Sequence, residues 1–271
     1  MSAHFESAIS RLRPTSERRA RTTAVATLAA AQNGTSGVLA VGKHARRRAA
    51  WATPRTGDPG QADIRSRIKY SDPMTTIRLA TLSDVPQMAH VQMRAFEDDP
   101  LITWMLPPDD FDRRATLLFD CMIRASMIHE SIYTTDDGVC TAVWAPPEAW
   151  AFSEEQTGMM AEPFAEAAGE RVDRALGFFI EMAEVHPSEP HWYLEGLGTH
   201  PDWQRRGIAS AVLAPVLDLC DADGLPTYLE TQKESNVPFY RRHGFEVIGT
   251  KQLSDGAPNI WLMWREIPSH G

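Results

Sequence analysis

The stretch WYLEGLGTHPDWQRRGIA, residues 192–209, decides how this chain folds. Bulky and apolar residues (Trp192, Tyr193, Leu194, Leu197) read as a strand, and a turn follows at Thr199-His200-Pro201-Asp202. From Ile208 onward the apolar residues recur at helical spacing. A strand, a turn and a helix in that order aim the free N–H groups of a helix N-terminus at one spot, which suits a pyrophosphate. Gly207 and Ala209 keep bulk away from where phosphate oxygens approach the backbone, and Arg205 and Arg206 add charge. By spacing alone, Gln204-x-x-Gly207-x-Ala209 fits an ordinary strand–turn–helix junction at least as well.

About thirty residues further on stands Glu234-Ser235-Asn236-Val237-Pro238-Phe239-Tyr240-Arg241-Arg242-His243-Gly244-Phe245. The first stretch resembles the pyrophosphate loop of the GNAT superfamily of N-acyltransferases. The second resembles that family's Asn-x-x-x-x-Tyr helix ending in Gly-Phe. The resemblance implies a mixed α/β fold, with a largely antiparallel sheet flanked by helices, and acetyl-CoA as co-substrate. It implies Gln204, Arg205, Arg206, Gly207, Ile208 and Ala209 at the pyrophosphate, with Leu197, Gly198 and Thr199 along the pantetheine arm. Asn236 would bond that arm or else cap its helix.

The resemblance places the catalytic tyrosine at Tyr240. A phenol with a pKa near 10 protonates a thiolate of comparable basicity without being ionised at pH 7. The alternative is a ring packed on the core. Glu195 is the candidate base, because a carboxylate in an apolar strand is costly unless used or paired. A salt-bridging or substrate-holding role fits it equally. Tyr193 lies on the same face, and Glu230 on the next strand is a weaker rival. Gly196 and Gly198 in mid-strand suggest a bulge or a close approach by ligand.

Composition narrows the classes. Of 271 residues 43% are hydrophobic, enough for a sizeable core, and no window reaches the roughly 18 apolar residues of a membrane helix. Cys121, Cys140 and Cys220 form no CxxC pair and are odd in number, which points to a reducing, cytoplasmic setting. Nine histidines include no HExxH and no cluster at ligand spacing, so no metal is expected. The net charge of −9 is uneven: residues 1–73 hold 13 Lys and Arg against 5 Asp and Glu, leaving 14 against 31 for 74–271. The basic part is expected to be a disordered or dispensable extension, with one domain from 74 to 271.

Along that domain, residues 75–80 read as a strand, and Ser83 or Asp84 caps a helix reaching Phe96. Residues 97–104 form a loop or short helix, and Phe111 to Met127 a longer one. The β-branched runs around Asp136-Asp137-Gly138 make a hairpin. Residues 151–185 are helical, with breaks expected at Gly158, Gly169 and Gly177. Pro215 should bend the helix after the phosphate turn, or cost it a hydrogen bond. Strands are expected at 226–231, 245–250 and 260–265, with a short helix from Pro238 to His243.

Within the superfamily, IRLATLSDVP, AVWAPPE, LPTYLET and NVPFYRRHGF look like the puromycin N-acetyltransferase group and its relatives. The resemblance implies acetyl transfer to an amine. It is weakest at 97–110 and 151–185, which line the acceptor side in that family. Asp98, Asp99, Trp104 and Tyr193 are the candidate acceptor residues, by charge and by stacking. A strongly acidic domain suits a small cationic amine and disfavours nucleic acid. The other class is a CoA-binding regulatory module, or an acetyltransferase of protein lysines or N-termini. A monomer or a homodimer fits either.

Overall fold

The computed structural model describes residues 76–267. The basic stretch 1–73 lies outside them. The described chain runs β1 (Ile77–Leu79), α1 (Val85–Ala95), α2 (Pro100–Met105), α3 (Phe111–Ser126), β2 (Ile132–Thr135), β3 (Cys140–Ala145), α4 (Glu154–Ala168) and α5 (Val172–Ala183). It continues β4 (Trp192–Thr199), α6 (Ile208–Asp223), β5 (Thr227–Thr231), α7 (Val237–Arg241), β6 (Glu246–Gln252) and β7 (Asn259–Arg265). Seven strands form one mixed sheet in the order β1-β2-β3-β4-β5-β7-β6, and only β4 and β5 run parallel.

The β4–β5 pair defines the architecture. Its rungs are Trp192↔Thr227, Tyr193↔Tyr228 and Leu194↔Leu229, and there the pairing stops. β5 stays with β7 as far as Thr231↔Trp261, while β4 stays with β3 as far as Thr199↔Cys140. The sheet therefore opens into a fork. A bulge supplies the bend: Trp144 faces Leu194 and Val143 faces Gly196, so Glu195 is the extra residue of β4. Such an insertion bends its strand and increases the local twist.

Two layers cover the sheet. On one face α6 buries Ile208, Val212, Leu213, Val216, Leu217 and Cys220 against Cys140, Ala142, Trp144 and Leu194. On the other, α1 and α3 bury Val85, Met88, Ala89 and Ile123 against Ile132 and Val143. A third cluster joins α2, α3, α4 and α5 through Leu106, Leu118, Met160, Phe164 and Leu176.

Asp84 stands at the N-cap position of α1, as expected, but its carboxylate accepts from Thr81 N at 2.7 Å and closes a capping box around the single 3-10 turn before α1. Two local expectations need correction. Of the three expected breaks in 151–185, only Gly169 breaks the chain, at φ +53°. Gly158 and Gly177 lie inside α4 and α5, a tolerable cost of about 1 kcal/mol each. Pro215 sits within α6, as expected; the helix runs on unbroken to Gly224 at φ +67°, and the proline, lacking an N–H, costs the ladder one bond.

Gly198 shows why β4 needs a glycine on its α1 face. A Cβ there would stand 2.3 Å from Gln92 Oε1 and 3.1 Å from Ala95 Cβ. Gln92 is 1% exposed and borders the cavity, so its amide would have to shift there while Ala95 stays in the way. Gly198→Ala is expected to destabilise the fold by about 1–3 kcal/mol, read from the urea midpoint at constant slope. Adding Gln92→Ala should make the pair less than additive.

Candidate active site

The turn between β4 and α6 is built by backbone conformation rather than by side chains. Arg205 and Gly207 both adopt left-handed φ, +62° and +81°, and residues 202–207 are exposed. Ile208 turns its side chain into the core, leaving its N–H at the turn. The first backbone bond into α6 runs from Ala211 N–H to Gly207 O at 3.1 Å, so the preceding N–H groups have no partner within the helix. No heavy atom lies within 4 Å of where a Cβ of Gly207 would be. Gln204 Nε2 donates to Thr199 O at 3.1 Å and ties the turn to the end of β4. Arg206 folds back, donating to Asp202 O at 2.9 Å and lying 4.9 Å over the Trp203 ring. A cradle of open amides with nothing filling it fits an anionic diphosphate.

Behind the turn, the fork leads into a cavity of about 200 Å³. Leu197 of β4 and Asn236 and Tyr240 at α7 line one end. Asn236 Nδ2 donates to Thr231 Oγ1 at 3.2 Å and joins the end of β5 to α7. The other end is apolar, with Phe96, Phe119, Phe152, Phe178, Phe179 and Met182 among its walls. Those residues come from α1, α3, α5 and the segment before α4.

Three acids reach this cavity. Glu195 Oε2 accepts from Ser126 Oγ at 2.6 Å, whereas Oε1 is buried with no donor. Burial, reinforced by the like charge of Glu230, outweighs the Ser126 bond and pushes the Glu195 carboxyl up to about 7. Glu230 Oε2 accepts the Tyr193 hydroxyl at 2.5 Å. Asp99 is buried at the N-cap of α2, accepting from Leu101 N at 2.9 Å and Ile102 N at 3.2 Å. Burial raises its pKa as well. The Tyr240 phenol is pushed well above its ordinary value by burial and by the charge of Asp99, so it keeps its proton at neutral pH.

Over residues 130–245 the chain matches the model of the acetyltransferase (GNAT) family. It is an acetyltransferase with the GNAT fold. The family's co-substrate is acetyl-CoA. This acetyltransferase is 25% identical to an uncharacterised N-acetyltransferase of Schizosaccharomyces pombe over 60% of the chain and 70% of that protein. An acetyltransferase of Stachybotrys chartarum shares 27% over 68% and 85%. The fold matches the crystal structure of histone acetyltransferase HPA2 and related acetyltransferase from Corynebacterium glutamicum with a TM-score of 0.54 and 25% identity, over 72% of this chain and 97% of that one.

The candidate residues of this acetyltransferase sort into three groups. Leu197, Gly198 and Thr199 lie on the β4 arm of the fork, and Gln204 to Ala209 at its turn. Tyr193, Glu195, Asn236, Tyr240 and Asp99 come together around the cavity. Asp98 and Trp104 stand apart from it. Asp98 is ion-paired with Lys233. Trp104 donates from Nε1 to Asp255 O at 3.2 Å and carries Arg174 5.1 Å over its ring, so it clamps α2 to the loop before β7. Sequence reasoning missed Ser126, Trp150, His186 and the phenylalanine walls. Phe178-Phe179 on an amphipathic helix was the available signal. Among the described residues no group of acidic, histidine or cysteine side chains could hold a metal.

Glu195 also makes a stability prediction. Its folded pKa lies above the carboxylate reference, so its contribution is fully present below about pH 4.5 and is lost as pH rises through about 7. Glu195→Gln should therefore match the wild type near pH 4.5. Above pH 7 it should be more stable, by on the order of 1–3 kcal/mol in urea unfolding.

Proposed function

We propose that this enzyme transfers acetyl from acetyl-CoA to the primary amine of a small molecule with an aromatic body. An amine-bearing antibiotic of the puromycin type is the leading example. The observation that carries the reading is the fork: an open amide cradle at one end leads to an aromatic cavity holding two glutamates at the other. Walls of phenylalanine from α1, α3 and α5 favour a compact aromatic acceptor over a protein chain, which would need an open groove. Buried thiols at Cys121, Cys140 and Cys220 support a reducing, cytoplasmic setting.

The proposed chemistry divides between residues on opposite sides of the cavity. An aliphatic amine, with a pKa near 10, arrives as an ammonium and must lose a proton before it attacks. Glu195 receives it, directly or through water at the open Oε1, and its pKa near neutrality suits a base at pH 7–8. Tyr240 gives a proton to the departing thiolate. The unpaired edge of β4 and the amides from Arg205 to Ala209 would hold the cofactor by backbone alone. Arg205, exposed beside the turn, would add a mobile positive charge.

Thiol release from acetyl-CoA, followed with DTNB across an amine panel that includes puromycin, tests this directly. Amine-dependent release is expected; release that ignores every amine supports a binding module instead. Tyr240→Phe should lower kcat by ~10² or more, with KM for acetyl-CoA little changed. Glu195→Gln should abolish the acidic limb near pH 7 in kcat/KM.

A further inference from the structure

The register of β4 on β5 sets two copies of one tripeptide side by side, Tyr193-Leu194-Glu195 against Tyr228-Leu229-Glu230. The leucines form the last rung, so both glutamates stand where β4 and β5 part. Both line the cavity, yet their surroundings differ. Glu195 keeps its open oxygen buried, whereas Glu230 spends Oε2 on the Tyr193 hydroxyl and turns Oε1 toward His186 Nδ1, 3.7 Å away.

Hydrogen bonds fix the Nε2 side of His186. His191 Nδ1 lies 2.6 Å from Glu189 O, and a carbonyl only accepts, so Nδ1 carries the hydrogen. Burial lowers the pKa of His191, keeping it neutral, and its Nε2 is then the acceptor. His186 must donate from Nε2 across the 3.1 Å to His191. Its Nδ1 lies 3.7 Å from Glu230 Oε1, too far for a hydrogen bond, so that carboxylate oxygen faces the ring without accepting from it. Rings gather at this edge of the cavity: Trp150 stacks on His186 at 4.0 Å, and Tyr193 and Tyr228 meet it edge-on at 5.0 and 5.1 Å. An ammonium beside Glu230 Oε1 donates to the carboxylate among those aromatic side chains. Of the other acids lining the cavity, Asp99 is committed to the N-terminus of α2, and Glu195 keeps only a buried oxygen free beside its bond to Ser126.

We infer that Glu230, with His186 opposite, is the specificity-determining cation seat of the acceptor site, distinct from the proton-accepting Glu195. This rests on the acetyl-transfer reading for its purpose, but its test needs no turnover. Binding of 2-phenylethylamine and of 2-phenylethanol, its uncharged isostere, is measured by calorimetry at pH 6. There Glu195 is largely protonated and cannot supply the negative charge. The amine should bind at least tenfold tighter than the alcohol, Glu230→Gln should erase that preference, and Glu195→Gln should keep it. Equal affinity of amine and alcohol in the wild type, or a preference that survives Glu230→Gln, overturns the seat. If Glu230→Gln does not fold, the wild-type comparison at pH 6 still decides. Amine-selective binding without thiol release would uphold the seat and reject acetyl transfer.

Discussion

The structure depends on one constraint: β4 and β5 cannot stay zipped beyond Leu194 and Leu229. Each strand is committed to a different neighbour, β4 to β3 and β5 to β7, and the extra residue at Glu195 bends β4 out of plane. Separating two parallel strands in mid-sheet leaves backbone donors and acceptors without partners, which is unfavourable unless something else pairs with them. A long, flexible, amide-bearing ligand is such a partner. The fold thus forgoes ladder hydrogen bonds to create a slot with strand-like recognition on its walls.

The same opening concentrates electrostatics. Where the sheet stops, residues that would alternate into packed layers meet in one partly dry space. Three carboxylates and two tyrosine hydroxyls share it, and the low polarity of the aromatic walls amplifies their mutual influence. The outcome is a division of labour by neighbourhood. One glutamate is desolvated and underbonded, the other is bonded to a hydroxyl, and Tyr240 is kept un-ionised by burial and by Asp99. Residue type alone distinguishes none of these.

Much of this was legible in the sequence, for identifiable reasons. The DG hairpin, the α6 stripe and the strand–turn–helix junction carry strong local signals, and each has its counterpart in the structure. The helical reading of 151–185 held, while two of its three expected breaks did not, because a glycine in a well-packed helix costs less than the packing returns. Gly198 looked like an accommodation for ligand; it is also an accommodation for Gln92, a residue 106 positions away whose approach no local pattern announces. Trp104 suggested stacking on an acceptor, but its partner is Arg174 from α5. Long-range neighbours of this kind are set by tertiary packing. The rings around His186 were hidden because their members come from four separate segments.

Arg171, at the N-cap of α5, and Arg174 within that helix reach back to α2 and its C-cap residue. Arg171 donates to the carbonyls of Thr103, Trp104 and Leu106, while Arg174 lies over Trp104 and pairs with Asp255 at 3.1 Å. The α5 wall of the aromatic cavity is therefore bolted at its far corner to the β6–β7 loop. Grafting a different α5 would exchange Phe178, Phe179 and Met182 while leaving Phe96, Phe119, the strands and the turn in place. Such a graft would have to bring those two guanidinium bolts with it.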